Sequence, residues 1–130
     1  MVDFILFKNH KIAAKTAISQ KDHATGLMFK TSPEPMIFPY NFAAVRKFWM
    51  KNTVSPLDIV FCSKNKIVSI EKGIPFSLNH VGPNIPTDLV IEFQQGSCNK
   101  IGMVVGDLLQ IKYSLQTIAD RFEYALSKMT

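Results

Sequence analysis

The sequence predicts a mainly β domain, either a jelly-roll-like β-sandwich or a partly closed barrel, with a short N-terminal helix and an added amphipathic helix at the C-terminus. Two observations lead to this prediction. Several short segments alternate apolar and polar residues and are separated by Asn, Gly and Pro, which is typical of strands joined by turns. The end of the chain instead repeats apolar residues at helical spacing. The 130 residues, 47% of them hydrophobic, suffice for one domain with its own core.

The N-terminal part predicts a hairpin followed by a short helix. The segments DFILFK and KIAAKTAIS have strand character, and Asn9 and His10 between them provide the corner. Ser19 is a typical N-cap, and Asp22 stands at the third helical position. We therefore expect a helix over Gln20–Phe29.

The middle of the chain has the strongest strand character. Leu57–Ser63 and the segment KIVSIEKG flank a tight turn at Lys64 and Asn65, so together they predict a hairpin. Further short strands are predicted at PMIF (35–38), KFWMK (47–51), DLVIEFQ (88–94) and LLQIKY (108–113). A Pro- and Gly-rich connection over residues 73–86 is longer than most loops, and such loops are often functional.

The C-terminal helix is predicted over Leu115–Met129, with Ser114 as its N-cap. Its apolar stripe consists of Leu115, Ile118, Phe122, Leu126 and Met129. An isolated helix of this length is only marginally stable in water, so the stripe should be buried. We expect it to cover the domain's own sheet, with docking on a partner chain as the alternative. The predicted division is a β domain over residues 1–113 and a helical extension over 114–130.

Composition excludes several classes of protein. No apolar run approaches the ~20 residues that a membrane span needs, and the N-terminus lacks the basic and apolar regions of a signal peptide. Cys62 and Cys98 are too few for a disulfide scaffold and are expected to be reduced thiols. We therefore expect a cytoplasmic protein or a virion component, and no association with a membrane.

The formal net charge of +5 is unevenly distributed. Residues 1–52 contain eight Lys or Arg and three acidic residues, whereas residues 53–130 contain seven of each. Such an asymmetry occurs on surfaces that face polyanions or acidic partners, although a solvated mixed surface explains it more often. Basic residues interleaved with aromatic ones are few, so nucleic acid is not expected as a partner.

Several motifs together resemble a known family. They are GLMFK (26–30), FWMKNTVSPLDIVF (48–61), VIEFQQG (90–96) and IGMVVGD (101–107). In this order and spacing they resemble the widespread bacterial family named domain of unknown function 192, over roughly residues 16–113. The resemblance implies a mainly β, jelly-roll-like sandwich. It implies no activity, because none is assigned to the family.

Five residues are candidates for a ligand site: Trp49, Lys51, Asn52, Asp58 and Glu92. An exposed Trp49 would offer a platform for a sugar or a base, whereas a core position is the commoner role of tryptophan. If the strands of Asp58 and Glu92 are neighbours, their carboxylates could share one cleft, as glycoside hydrolysis requires. A single carboxylate bonded to the backbone or to Lys51 is the more common outcome. No catalytic residue is therefore assigned.

The residue patterns predict no metal and no cofactor. His10, His23 and His80 lack the spacing of a zinc site, and no nucleotide or nucleophile motif is present. We expect a non-enzymatic binding or assembly module of unknown ligand, such as a structural subunit of a phage virion, with a protein partner or self-association. The alternative is a small-ligand, carbohydrate-like binding domain or hydrolase with a pocket at Trp49, Asp58 and Glu92.

Overall fold

The computed structural model describes residues 2–129, and within them it has seven strands and three helices. The strands are β1 (Asp3–Phe7), β2 (His10–Thr16), β3 (Met36–Ala44), β4 (Leu57–Ser63), β5 (Lys66–Gly73), β6 (Thr87–Gln94) and β7 (Gln110–Lys112). The helices are α1 (Gln20–Thr25), α2 (Ser97–Ile101) and α3 (Leu115–Ser127). The prediction of a mainly β domain with a short N-terminal and a longer C-terminal helix is confirmed.

The seven described strands form one sheet in the order β5-β4-β6-β3-β2-β1-β7. Neighbours are antiparallel except for β2 and β3, which are parallel. The sheet curls so that the segment before β7 reaches the start of β5, where Ile67 N–H donates to Asp107 O at 2.8 Å and Leu109 N–H donates to Asn65 O at 2.9 Å. The architecture is therefore a half-barrel, and a jelly roll or two-sheet sandwich is not confirmed.

The curled sheet has a separate apolar core on each face. The core inside the curl draws on strands from one edge of the sheet to the other, with Phe7, Ile37, Val60, Ile91 and Leu109 among its members. The outer core lies mainly on β3, β4 and β6, and Val68 of β5 packs against its side. It consists of Ala17, Leu27, Phe38, Met50, Leu57, Ile59, Phe61 and Val90. Because successive residues of a strand point to opposite faces, β4 and β6 are buried on both sides.

Most predicted elements are confirmed, with two corrections. The β1–β2 and β4–β5 hairpins form, and Ser19 and Asp22 make a reciprocal capping box at the start of α1. Helix α1 ends at Thr25 rather than at residue 29, because Gly26 adopts φ +49° and breaks the helix. The strand predicted at KFWMK is wrong: only Phe48 pairs, in an isolated bridge with Val81.

Helix α3 begins after Ser114, as predicted, but its apolar stripe is not buried. The five stripe side chains are between 48% and 81% exposed. The expectation that the helix covers the domain's own sheet is therefore wrong. The reason is that α3 is held through polar contacts at its first turn, where Asp3 accepts from Ser114 N–H at 2.7 Å and from the Thr117 hydroxyl at 2.8 Å.

Candidate functional site

A small cleft of about 180 Å³ opens on the outer face of the sheet. Two segments form its walls, residues 23–28 at the end of α1 and in the turn after it, and residues 47–53 in the loop before β4. The sheet itself contributes Phe38 and Tyr40 from β3 and Glu92 from β6. The cleft therefore lies where two loops cross the central strands.

Backbone hydrogen bonds hold the two loops together and against the connection before β6. Phe29 N–H donates to Asn52 O at 2.9 Å, and this joins the two walls. Phe48 and Val81 exchange backbone hydrogen bonds at 2.8 and 2.7 Å, so the second wall is attached to the Pro- and Gly-rich connection. Gly82 permits this approach, because a Cβ there would lie 2.6 Å from Arg46 O.

Glu92 lies at the base of the cleft and is the central feature of the site. Its side chain is only 4% exposed, and burial raises its pKa to about 8. No residue in the described range donates a hydrogen bond to its carboxyl group. A carboxyl with this pKa is mostly protonated at neutral pH, so it offers both an O–H donor and a carbonyl acceptor.

The backbone at Gly26 closes over this carboxyl. A Cβ at this position would lie 3.4 Å from Glu92 Oε1 and 3.4 Å from the Phe38 ring. The φ of +49° and ψ of −126° form a combination that residues with a side chain rarely adopt. Glycine is therefore favoured by the backbone conformation of the first wall, whereas the 3.4 Å separation itself would be ordinary van der Waals contact.

The second wall turns one aromatic ring inward and one outward. Phe48 packs edge-on between Phe38 and Phe61, with ring centroids 5.1 and 5.8 Å away. Its neighbour Trp49 is 41% exposed and makes an edge contact with His80 at 5.4 Å. Lys51 places Nζ 5.2 Å from the Trp49 ring centroid. Trp49 is thus an accessible aromatic surface at the rim of the cleft.

His23 and Tyr40 complete the inner wall as uncharged groups. Their rings make an edge contact at 5.1 Å. Burial lowers the pKa of His23, whereas burial raises the pKa of Tyr40 to about 12. Formal charge at neutral pH is therefore confined to the rim, where Lys47 and Lys51 are exposed.

The structure brings three of the five predicted site residues together. Trp49, Lys51 and Glu92 line the cleft. Asn52 lies beside it and contributes a backbone carbonyl to the joint between the walls. Asp58 is on the other face of the sheet, where Oδ2 accepts from Gly96 N–H at 3.0 Å and from Cys98 N–H at 3.1 Å.

The predicted pair of carboxylates is therefore wrong. In the register of β4 and β6, Ile59 is opposite Glu92 and Asp58 is opposite Phe93. Asp58 points to the core inside the curl, and Glu92 to the outer core. The strands are neighbours, as the hypothesis required, but the side chains lie on opposite sides of the sheet.

Sequence reasoning missed His23, Gly26, Tyr40 and Lys47 as residues of the cleft. The sequence did contain a signal for Gly26, because a glycine within a predicted helix indicates a break or a close approach of backbone. The other three are brought in by folding and carry no local pattern. In the described part of the chain, no group of three or more His, Cys, Asp or Glu could hold a metal ion.

Comparison with known proteins gives the family. The profile of the uncharacterized ACR family DUF192 matches residues 5–111. This chain belongs to that family. No curated protein matches the chain, and among the described helices none is long and apolar enough to cross a membrane.

Two solved structures have the same fold. A protein of unknown function from Novosphingobium aromaticivorans is 28% identical, with a TM-score of 0.73 over 85% of this chain and 84% of that chain. A protein from Sinorhizobium meliloti described as a "putative transcription regulator" is 25% identical, with a TM-score of 0.74 over 84% of this chain and 91% of that chain.

The family motifs divide between the cleft and two turns. GLMFK, FWMKNT and VIEFQQG contribute Gly26, Trp49 and Glu92, which line one cleft. Asp58 of the PLD motif holds the turn that leads into α2, and Asp107 of the Gly-Asp motif accepts from Val104 N–H at 2.9 Å. Three motifs that are distant in the sequence therefore meet at the cleft, while the two aspartates stabilise turns.

Proposed function

We propose that this DUF192 chain is a non-enzymatic binding module whose cleft takes a small, uncharged polyhydroxyl ligand of carbohydrate-like chemistry. The observation that carries the proposal is Glu92, a buried carboxyl group that lines the cleft and has no hydrogen-bond partner among the described residues. Burying a polar group without a partner is costly, so such groups are usually paired. A ligand hydroxyl supplies the missing partner.

The chemistry of the other cleft residues fits the same ligand. A protonated Glu92 donates one hydrogen bond and accepts another, which is what a hydroxyl group requires. The Trp49 ring offers an apolar face for the C–H surface of a sugar. A cationic ligand would be repelled by Lys47 and Lys51 at the rim. The inner part of the cleft is uncharged, so an anionic group would bind at the rim and not beside Glu92.

The size of the cleft restricts the ligand further. Pockets for drug-sized molecules are roughly 300–1,000 Å³, whereas this cleft is about 180 Å³. The ligand is therefore a single small ring or the terminal unit of a longer chain that continues past Trp49.

Binding is favoured over hydrolysis because the cleft contains a single carboxyl group in the described residues. Glycoside hydrolysis generally uses two carboxyl groups that flank the bond. The second candidate, Asp58, is committed to two backbone N–H groups on the opposite face.

Trp49 provides a direct test, because it is the only tryptophan in the chain. Titration with a panel of monosaccharides and disaccharides should change its fluorescence, with saturation by at least one sugar. A panel that leaves both the fluorescence and the amide NMR signals of residues 23–28 and 47–53 unchanged would contradict the proposal.

Two variants of Glu92 test the role of the neutral carboxyl group. Glu92→Ala should weaken binding of the responding sugar about tenfold or more, whereas Glu92→Gln keeps a donor and an acceptor and should bind within a few-fold of the wild type. Lys100→Gln, remote from the cleft, is the matched surface control. Unchanged binding by the Ala variant would show that Glu92 does not contact the ligand.

An assembly role is a second candidate, and the observation that favours it is the exposed apolar face of α3. A place in a larger particle such as a phage virion stays a prediction. Sedimentation of the purified chain over a range of concentrations tests self-association directly. Assembly would be contradicted if the chain sedimented as a monomer at every concentration and no partner co-purified with it from its source.

A further inference from the structure

A second and larger concavity lies beside α3 and is separate from the proposed ligand function. This α3 groove has a volume of about 820 Å³. Its floor comes from the segment between β2 and α1, from α1 and from β3, and its far wall is one side of α3. Aromatic and aliphatic side chains dominate its lining, notably Tyr40, Phe42, Ile118 and Phe122.

Specific polar contacts set the distance between α3 and the floor. Asp3 binds the first turn of the helix through Ser114 and Thr117. Farther along, Gln20 N–H donates to the Tyr124 hydroxyl at 2.9 Å, so α3 is also tied to α1. The groove is therefore held open by contacts at both ends, and its apolar lining remains accessible to water.

The accessible lining is unusually apolar for a surface that nothing covers. Phe42 is 70% exposed and Phe122 is 65% exposed, and they belong to opposite sides of the groove. Large exposed apolar patches with polar rims are typical of sites that bind another molecule.

The rim of the groove is positive. Arg46, Arg121 and Lys128 line it, and no Asp or Glu does so within the described residues. The Arg46 guanidinium stacks on Tyr40 at 3.6 Å and donates only to backbone carbonyls, those of Ala44 and Thr87. Among the described residues no carboxylate accepts a hydrogen bond from it, and Asp88 interacts with it only electrostatically.

The nearest acidic groups are occupied elsewhere. The Asp22 carboxylate accepts from Ile18 N–H and Ser19 N–H in the cap of α1. Asp120, on α3, accepts from the Gln116 side chain at 2.7 Å and does not line the groove. Asp88 interacts electrostatically with Arg46 but does not line the groove, and its carboxylate accepts from Lys64 N–H at 3.3 Å. An occupant with negative charge would thus meet three cations and no carboxylate in the lining of the groove.

We infer that the α3 groove docks an acidic peptide segment of a partner protein, with large apolar side chains between Phe42 and Phe122 and carboxylates toward Arg121 and Lys128. Charge complementarity steers such partners and excludes wrong ones. A second copy of this chain is disfavoured, because a two-fold contact through the same groove would place the same cations opposite each other. The open shape also suits a peptide better than a lipid chain, which needs enclosure from water.

The test uses a random peptide library displayed on yeast and selected for binding to the full-length chain. Selection should enrich peptides that combine Asp or Glu with Phe, Leu or Trp. These peptides should survive counter-selection against the Arg121→Glu, Lys128→Glu double variant, because they should not bind it. Binding of an enriched peptide, measured by fluorescence anisotropy, should weaken with added salt and fall about tenfold or more in the double variant.

Matched variants separate the groove from the rest of the surface. Phe122→Ser should also abolish binding of the enriched peptide, whereas Leu115→Ser, on the same helix but outside the groove, should not. The Lys72→Glu, Lys100→Glu double variant controls for net charge. Circular dichroism of each variant verifies that α3 still forms.

Three outcomes would overturn the inference. The first is no enrichment, or enriched peptides that lack acidic residues or still bind the Arg121→Glu, Lys128→Glu variant. The second is self-association of the wild type that Phe122→Ser abolishes, which would assign the groove to a second copy. The third is binding to anionic vesicles in place of peptides, which would assign it to a lipid surface.

Discussion

Asp58 and Glu92 are buried carboxyl groups on neighbouring strands, but they differ in whether the fold supplies hydrogen-bond donors to them. Asp58 accepts hydrogen bonds from two backbone N–H groups and stabilises the turn before α2. Glu92 has no such donor in the described residues, and burial raises its pKa to about 8. The comparison teaches that a carboxyl group with assigned partners serves the fold, whereas one without partners in a cleft is available to a ligand.

Removal of the satisfied carboxyl group should have the largest effect on stability. Asp58→Ala leaves the N–H groups of Gly96 and Cys98 without a partner, and we expect a loss of about 3–5 kcal/mol in the free energy of unfolding. Urea denaturation measures it. Asp107→Ala, which frees one N–H in an exposed turn, is the control and should cost less than about 1 kcal/mol. Equal losses would remove the distinction between the two aspartates.

The unsatisfied carboxyl group should make stability depend on pH. An unfolded Glu has a pKa of 4.5, and burial raises the folded pKa of Glu92 to about 8. Between these values the folded state holds one more proton than the unfolded state, so wild-type stability falls as the pH rises. Glu92→Gln has no proton to lose and should match the wild type near pH 4, then exceed it by about 3 kcal/mol near pH 7.

Denaturation of both proteins across this range tests the sign as well as the size. A Glu92→Gln variant that is less stable than the wild type at high pH would mean that the carboxylate is solvated or paired in the folded protein. The comparison with Asp58 would then fail.

The glycine above Glu92 should resist substitution more than a left-handed glycine in open surroundings. Gly26→Ala places a side chain on a backbone with φ +49° and ψ −126°, which residues with a Cβ rarely adopt, and we expect a loss of about 2–3 kcal/mol. Gly102→Ala is the control, because Gly102 has φ +72° and nothing within 4 Å of its Cβ, so only the left-handed penalty of about 1 kcal/mol applies. Thermal unfolding distinguishes them, and equal losses would show that the backbone at Gly26 is no more strained by a side chain than the left-handed backbone at Gly102.

Asp3 adds a second satisfied carboxyl group to the comparison. Burial raises its pKa, but hydrogen bonds from Thr16, Ser114 and Thr117 outweigh burial, and the pKa is lowered overall from 3.8. Its stabilisation is therefore present above pH 3.8 and is lost as the pH falls through the lower, folded value. Asp3→Asn should cost about 1–2 kcal/mol at neutral pH.

Hydrogen exchange of the α3 amides provides the readout for this variant. Protection should fall in the first turn of α3 more than in the β4–β5 hairpin. Uniform loss across the chain would mean that Asp3 supports the whole domain and does not specifically anchor the helix.

The smallest effect on the free energy of unfolding is expected for replacement of Phe122, although phenylalanine is a large apolar residue. A buried Phe replaced by Ala loses about 3–5 kcal/mol, but Phe122 is 65% exposed in the α3 groove. Phe122→Ala should therefore change the free energy of unfolding by less than about 0.5 kcal/mol. A larger loss in chemical denaturation would mean that the helix packs on the sheet after all.

Local chemistry in the sequence was sufficient to predict several elements. Ser19 and Asp22 define the start of α1 through hydrogen bonds that span only three residues. Lys64 and Asn65 form the β4–β5 turn with φ of +49° and +65°, which a two-residue hairpin requires. The family motifs likewise placed Trp49, Lys51 and Glu92 among the candidates, although they did not indicate which of them share a cleft.

The face on which each carboxyl group lies was decided only by the tertiary structure. Strands β4 and β6 are buried on both sides, so neither has the apolar and polar alternation that would reveal its orientation. The register that puts Ile59 opposite Glu92 joins segments about thirty residues apart, and the two cores set it together. The position of α3 was likewise decided only by the tertiary structure. Its amphipathic pattern determined that a helix forms, whereas contacts with Asp3 and Gln20, distant in sequence, determined that its apolar side chains face an open groove.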